Sequence, residues 1–172
     1  MSKASRIQYA ERSLRDLWLD QSDEKLLREC EITHFRAGGP GGQKQNKTSS
    51  AVKLLHSPSG TAVSSSESRY QSENLRMVLK KLRLTVAMEI RSEPTDSLVA
   101  ELGLNNRDYP KWVAEICDIL YRNDFDMKLS AEKLSMSPSR LIRLLARDAS
   151  MWQKINFERD SRKMPRLRNP RE

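Results

Sequence analysis

Four of the chain's six glycines fall within five positions, Gly38-Gly39-Pro40-Gly41-Gly42, and Gln43 follows them directly. Ordering a glycine loses more backbone entropy than ordering any other residue. Such a cluster therefore implies a need for bare backbone: positive φ angles, close approach of a ligand, or successive N–H groups converging on an oxygen. No G-x-G-x-x-G opens a helix here and no Gly-Lys-Ser/Thr follows the glycines, which excludes the dinucleotide and Walker fingerprints. A flexible surface loop and a phosphate-binding turn both stay open on composition alone. The Gln43 amide does not titrate near neutral pH, so it is no general base, yet it offers both donors and an acceptor.

The flanking pattern shows what must position this loop. Glu31 to Phe35 reads as a short strand leading into it, and Ala51 to Leu55 and Thr61 to Val63 read as two strands joined across Ser57-Pro58-Ser59-Gly60. Tyr70 to Ile90 then sets Leu75, Val78, Leu79, Leu82, Val86 and Ile90 on one helical face, with Arg76, Lys80, Lys81 and Arg83 largely outside it. The expected fold class is α+β: a small sheet with a long covering helix over residues 30–92, followed by an all-helical C-terminal region. Residues 1–29 read as a helical arm, with Ile7, Leu14, Leu17 and Trp18 at helical spacings and Ser22 as N-cap for Asp23 to Arg28. Residues 93–157 are expected to form a helical domain, with segments near Asp96 to Leu102, Pro110 to Tyr121, Ala131 to Met136, Pro138 to Arg147 and Met151 to Arg162. Ser137 before Pro138 is the clearest helix start. Residues 158–172, interrupted by Pro165 and Pro170, are expected to be a frayed basic tail.

The run Glu31-Ile32-Thr33-His34-Phe35-Arg36-Ala37-Gly38-Gly39-Pro40-Gly41-Gly42-Gln43 continues through Asn46-Lys47-Thr48-Ser49-Ser50-Ala51-Val52-Lys53-Leu54, His56 to Gly60, Glu67 to Gln71 and Asn74. Over roughly residues 30 to 90 this resembles the catalytic domain of class-I peptide chain release factors. It departs from the usual pattern at Lys44-Gln45, after the Gly-Gly-Gln, and at Tyr70, which interrupts an Arg-Ser-Gln. The resemblance implies hydrolysis of the ester linking nascent peptide to tRNA in the ribosomal peptidyl transferase centre. Gly41, Gly42 and Gln43 would be its catalytic residues, Gln43 excluding bulk water and orienting the attacking one while a backbone N–H stabilises the developing oxyanion. It also implies N5-methylation of Gln43 by a glutamine methyltransferase. About thirty residues precede the strand, so no codon-reading domain is expected, and the resemblance is to codon-independent ribosome-rescue factors. In those, a basic tail occupies the empty mRNA channel.

Charge fits that setting. The chain carries 31 Lys and Arg against 23 Asp and Glu, a net +8, which suggests an anionic partner. Residues 1–92 hold 16 basic and 10 acidic side chains, residues 93–157 hold 9 and 10, and residues 158–172 hold 6 and 3. Arg36, Lys44, Asn46, Lys47, Lys53, Arg69 and Gln71 are the candidate RNA contacts around the loop, and Arg159, Arg162, Lys163, Arg166 and Arg168 those of the tail, since most RNA contacts go to phosphate. Expected partners are the ribosome, its RNA and peptidyl-tRNA. No cofactor or metal is expected: His34 and His56 lack ligand spacing. Ala131 to Leu145 resembles a helix-turn-helix without its turn glycine, and a structural bundle is the simpler reading of it. A non-catalytic ribosome- or RNA-binding factor is the alternative function, with a helix-turn-helix DNA-binding regulator a distant third. No run is apolar enough for a membrane span. Cys30 and Cys117 read as buried thiols of a reducing compartment, the cytoplasm or an organellar matrix.

Overall fold

The computed structural model describes residues 8–36, 49–94 and 100–170. In chain order the elements are β1 (Gln8–Tyr9), α1 (Arg12–Asp20), α2 (Asp23–Arg28), β2 (Cys30–Phe35), β3 (Ala51–His56), β4 (Thr61–Ser65), α3 (Gln71–Glu89), β5 (Ile90–Arg91), α4 (Tyr109–Arg122), α5 (Met127–Lys133), α6 (Pro138–Leu145) and α7 (Ala149–Ser161). The fold is α+β. The chain divides into two compact units, Asp16–Val86 and Met1–Arg15 with Ala87–Glu172.

The first, the sheet unit, is built on an antiparallel sheet of order β2-β3-β4. Its register runs from Cys30 opposite His56 to Phe35 opposite Ala51, so β2 and β3 end together at the segment that joins them. The β3–β4 turn closes at Gly60, whose φ of 65° is the left-handed conformation a Cβ disfavours. Ala51, Val52, Leu54 and Val63 of the sheet are buried, as are Val78, Leu79, Leu82 and Val86 of α3. Lys81 Nζ donates to the Ser64 carbonyl at 3.1 Å, tying α3 to β4. Ser22 caps α2 as its sequence position suggested, accepting from the Lys25 N–H. Arg83 holds that corner by donating to the Gln21 carbonyl at 2.8 Å and pairing with Asp23 at 2.7 Å.

The helical unit centres on α4, where Trp112 to Leu120 is buried throughout. A helix enclosed on all sides must find partners for any charge it carries. Asp118 accepts from Arg15 Nη1 at 2.5 Å, Arg91 Nη1 at 2.8 Å and the Ser92 N–H at 3.1 Å, while Glu115 pairs with Arg12 at 2.5 Å. Ser137 accepts from the Arg140 N–H and caps α6, with Pro138 in its first turn.

Several expectations are corrected. The long helix ends at Glu89, one residue earlier than its apolar pattern, because Ile90 and Arg91 pair in parallel with Gln8 and Tyr9. Leu14 and Leu17 of α1 are exposed, whereas Arg15, Trp18 and Leu19 are buried. Of the helix expected over Asp96 to Leu102, residues 96–99 lie outside the described ones and 100–102 are irregular. α5 runs from Met127 to Lys133, four residues ahead of its expected start, since Asp126 caps it by accepting from the Lys128 and Leu129 N–H groups. Nor does the C-terminal segment fray: α7 continues through Ser161, and the chain beyond it is held against that helix. Leu167 N–H donates to Asn156 Oδ1 at 2.8 Å and Arg159 Nε to the Pro165 carbonyl at 2.9 Å.

Candidate functional site

Gly41, Gly42, Gln43, Lys44, Asn46 and Lys47 lie outside the described residues, in the segment joining β2 to β3. The structure does describe how both ends of that segment are held. At its base the Phe35–Ala51 pair closes the ladder. On the incoming side, the Gln71 amide nitrogen lies 2.7 Å from His34 Nδ1. An amide nitrogen only donates, so Nδ1 accepts and the imidazole carries its proton on Nε2. On the outgoing side, Asn74 Nδ2 donates to the carbonyls of Ser50 at 2.8 Å and Ser68 at 2.7 Å. Its Oδ1 accepts from the Ser68 N–H at 3.0 Å and the Ser65 hydroxyl at 3.4 Å. The first turn of α3 thus clamps both ends of the glycine-rich segment.

Asn74 was not among the candidate site residues, although it is fully buried and uses all four of its hydrogen-bonding positions. The signal was present in the spacing: Asn74, Val78 and Leu82 follow at intervals of four, which puts an amide on the helix's buried face. A buried amide must be paired, and its partners here are Ser50 just before β3 and Ser65 and Ser68 at and after the end of β4.

Around this base the exposed cations are placed as a group in one unit. Arg36 follows β2, Lys53 projects from β3 opposite Thr33, and Arg69 stacks 4.8 Å over the ring of Tyr70 just before α3. Arg36 and Lys53 are exposed and make no ion pair among the described residues. Ser68 organises the turn, accepting from the Tyr70 N–H at 3.1 Å and donating to Glu73.

The five C-terminal candidates are placed differently. Arg159 is buried and donates to the Phe125 carbonyl at 2.6 Å. Arg162 pairs with Glu158 at 2.7 Å and Asp124 at 2.8 Å and lies 4.5 Å over the Phe125 ring. Burial alone would raise the Glu158 carboxyl, but hydrogen bonds from Tyr121, Arg162 and Lys154 hold it below the usual range. Arg166 pairs with Asp160 at 2.5 Å, while Lys163 and Arg168 are exposed. The stretch compared with a helix-turn-helix holds α5 and α6, and Ser135 between them adopts φ 52°. In this stretch and just after it, Arg140 and Arg147 bind Glu101 at 3.1 and 2.5 Å.

His56 is no ligand or base. It is fully buried, with Nδ1 2.7 Å from Ser59 Oγ, Nε2 3.2 Å from Glu29 and its ring edge-on to Trp18. Burial pushes its pKa below the ordinary 6.5, partly offset by Glu29. The Cys30 thiol is pushed up to about 11 by burial and by Glu29, and burial raises Cys117 also, so neither is a nucleophile near neutral pH.

Comparison with known proteins agrees with this geometry. Residues 24–105 match the family model of the RF-1 domain. The matched stretch, which contains β2 to β4, α3 and the glycine-rich segment, is thus similar to the RF-1 domain of peptide chain release factors. It is 36% identical over 75 residues to peptide chain release factor 1 of an Exiguobacterium species, covering 44% of this chain and 21% of that protein. It is 38% identical over 73 residues to peptide chain release factor 2 of Colwellia psychrerythraea, covering 42% and 20%. The chloroplastic peptide chain release factor PrfB1 of Arabidopsis thaliana matches at 36% over 89 residues, 47% of this chain and 20% of that one. The chain spans about a fifth of the length of these relatives. No helix among the described residues is long and apolar enough to cross a membrane.

Proposed function

We propose that this protein hydrolyses the ester of peptidyl-tRNA on the ribosome and does so without reading a codon. The observation that carries the reading is Gly41-Gly42-Gln43, set between β2 and β3 of a release-factor catalytic domain whose α3 clamps both ends of the segment. A glutamine held there orients one water and excludes the rest, and the glycines let backbone N–H groups reach the developing oxyanion. Each of these contributions is large, about 10²- to 10³-fold for one oxyanion donor. Arg36, Lys44, Asn46, Lys47, Lys53, Arg69 and Gln71 contact ribosomal RNA and the tRNA backbone. Gln43 is the site at which a glutamine methyltransferase would act, and the cytoplasm is the setting.

Release without a codon is supported by the second unit. α4 to α7 add a basic C-terminal segment, of which Lys163 and Arg168 remain exposed for ribosomal RNA or the empty mRNA channel. The test is peptide release from ribosomes with and without mRNA in the A site. The wild-type chain is expected to release peptide from both, and Gln43→Val or Gly42→Val to lose at least about 10²-fold in rate while still sedimenting with ribosomes. Undiminished release by both variants would overturn the assignment. Release that requires a stop codon would overturn its codon-independent part.

A further inference from the structure

The C-terminal segment, folded back on α7, does more than end the chain. Between them lies an open cleft of about 580 Å³, lined by Trp152, Gln153, Asn156 and Phe157 from the helix and by Arg166, Leu167 and Arg168 from the returning strand of chain. The four helical residues fall at spacings of one, three and one, which places them on one side of α7. Asn156 builds the wall: its Oδ1 accepts from the Leu167 N–H and its Nδ2 donates to the Trp152 carbonyl. Phe157 contributes a ring that is 52% exposed, and Trp152 is half-buried beside it. Arg166 is held by Asp160, whereas Arg168 is exposed and makes no ion pair among the described residues. The Gln153 amide likewise makes no hydrogen bond among them.

An exposed aromatic face, a second ring, a free guanidinium and an open amide match the parts of one nucleotide: base, phosphate and base edge. An aliphatic ligand would leave the amide and guanidinium unsatisfied. A bare anion would leave the rings unused. We propose that this cleft binds one unstacked nucleotide of single-stranded RNA, its base against Phe157 and Trp152, its edge toward Gln153 and its phosphate toward Arg168. The site lies wholly in the helical unit and does not depend on the release chemistry.

The test uses the full chain and a single-stranded adenosine hexamer, followed by the indole N–H resonance of Trp152, assigned with Trp152→Phe. That resonance should shift saturably, whereas those of Trp18 and Trp112, 5% and 4% exposed, should stay in place. Phe157→Ala and Arg168→Ala should each weaken the Trp152-reported affinity by about fivefold or more without changing thermal stability. Arg143→Ala, which removes an exposed cation of α6, should leave it within about twofold. An unmoved Trp152 resonance, an unchanged affinity in Phe157→Ala, or equal weakening by Arg143→Ala and Arg168→Ala would overturn the proposal. Gln43→Val should keep the Trp152 shift, so failure of the release reading and failure of this one are seen separately.

Discussion

The sheet unit and the helical unit use the same basic side chains for opposite ends. In the sheet unit Arg36, Lys53, Arg76 and Lys80 are exposed, and none makes an ion pair among the described residues. In the helical unit Arg12, Arg15, Arg91, Arg122, Arg140, Arg147, Arg159, Arg162 and Arg166 each meet a carboxylate or a backbone carbonyl. Net charge by segment therefore misleads. A basic residue indicates an anionic partner only when its own fold has not already supplied one, and that distinction is visible in burial and pairing rather than in composition.

The largest test of this contrast is Asp118→Ala. It would leave the guanidinium groups of Arg15 and Arg91, each 1% exposed, without the carboxylate they share. Breaking a buried pair in this way destabilises by about 3–5 kcal/mol. Urea denaturation followed by Trp112 fluorescence should show that loss in the helical unit. Lys53→Ala, its counterpart in the sheet unit, should change stability by no more than about 0.5 kcal/mol while lowering the rate of peptide release. A stable Asp118→Ala, or an unstable Lys53→Ala, would erase the distinction between the units.

Next in size is Asn74→Ala, which asks whether buried polarity in the sheet unit positions the loop or only supports the fold. The change leaves the half-buried Ser50 and Ser68 carbonyls and the Ser68 N–H without their Asn74 partner, each at a cost of up to about 1 kcal/mol. The expected outcome is a measurable loss of stability and a larger loss of release, since Ser50 ends the segment that carries Gln43. Release that falls only in proportion to the folded fraction would make Asn74 a purely structural residue.

What was legible in the sequence follows the range of the interactions involved. The β3–β4 hairpin, the apolar face of α3 and the Ser22 and Ser137 caps are written in neighbouring residues, and they were readable. The glycine cluster with Gln43 was readable for the same reason. The pairing of Gln8 and Tyr9 with Ile90 and Arg91 joins positions some eighty residues apart through two residues on each side, too little for any periodicity to reveal. The Arg15, Arg91 and Asp118 cluster could not be read either, because each residue is polar alone and is buried only with the others. The C-terminal segment misled through Pro165 and Pro170, which end a helix without preventing the chain from packing back against it. Asn74 lay in between: its spacing was visible, but its partners are assembled by the fold.

A smaller effect is expected from Gln71→Ala. Its bond to His34 is exposed, so stability should change by about 0.5 kcal/mol or less, yet the incoming end of the catalytic segment would lose its tether. Release should fall by up to about tenfold, because misplacement of a catalytic group is costly even where the fold is intact. Gln71→Glu offers Nδ1 an acceptor in place of a donor, so rescue by it would mean that Nδ1 carries a proton.

The smallest effect, and the one specific to pH, concerns His56. Its ring is enclosed, with Nδ1 2.7 Å from Ser59 Oγ and Nε2 3.2 Å from Glu29. Burial holds its folded pKa below 6.5, so between that value and the lower folded one the unfolded chain takes up a proton that the fold refuses. The stabilisation from neutral His56 is thus fully present above about pH 6.5 and declines as pH falls through the folded pKa. His56→Asn should be less stable than the wild-type chain at pH 7.5, with the difference narrowing on acidification. Parallel urea titrations across this range check it, and a difference that widened instead would mean that the imidazole is held protonated by Glu29. His34 is the exposed counterpart, bonded only through Gln71, so His34→Asn should cost about 0.5 kcal/mol or less at pH 7.5, and the two substitutions together separate a buried imidazole from an exposed one.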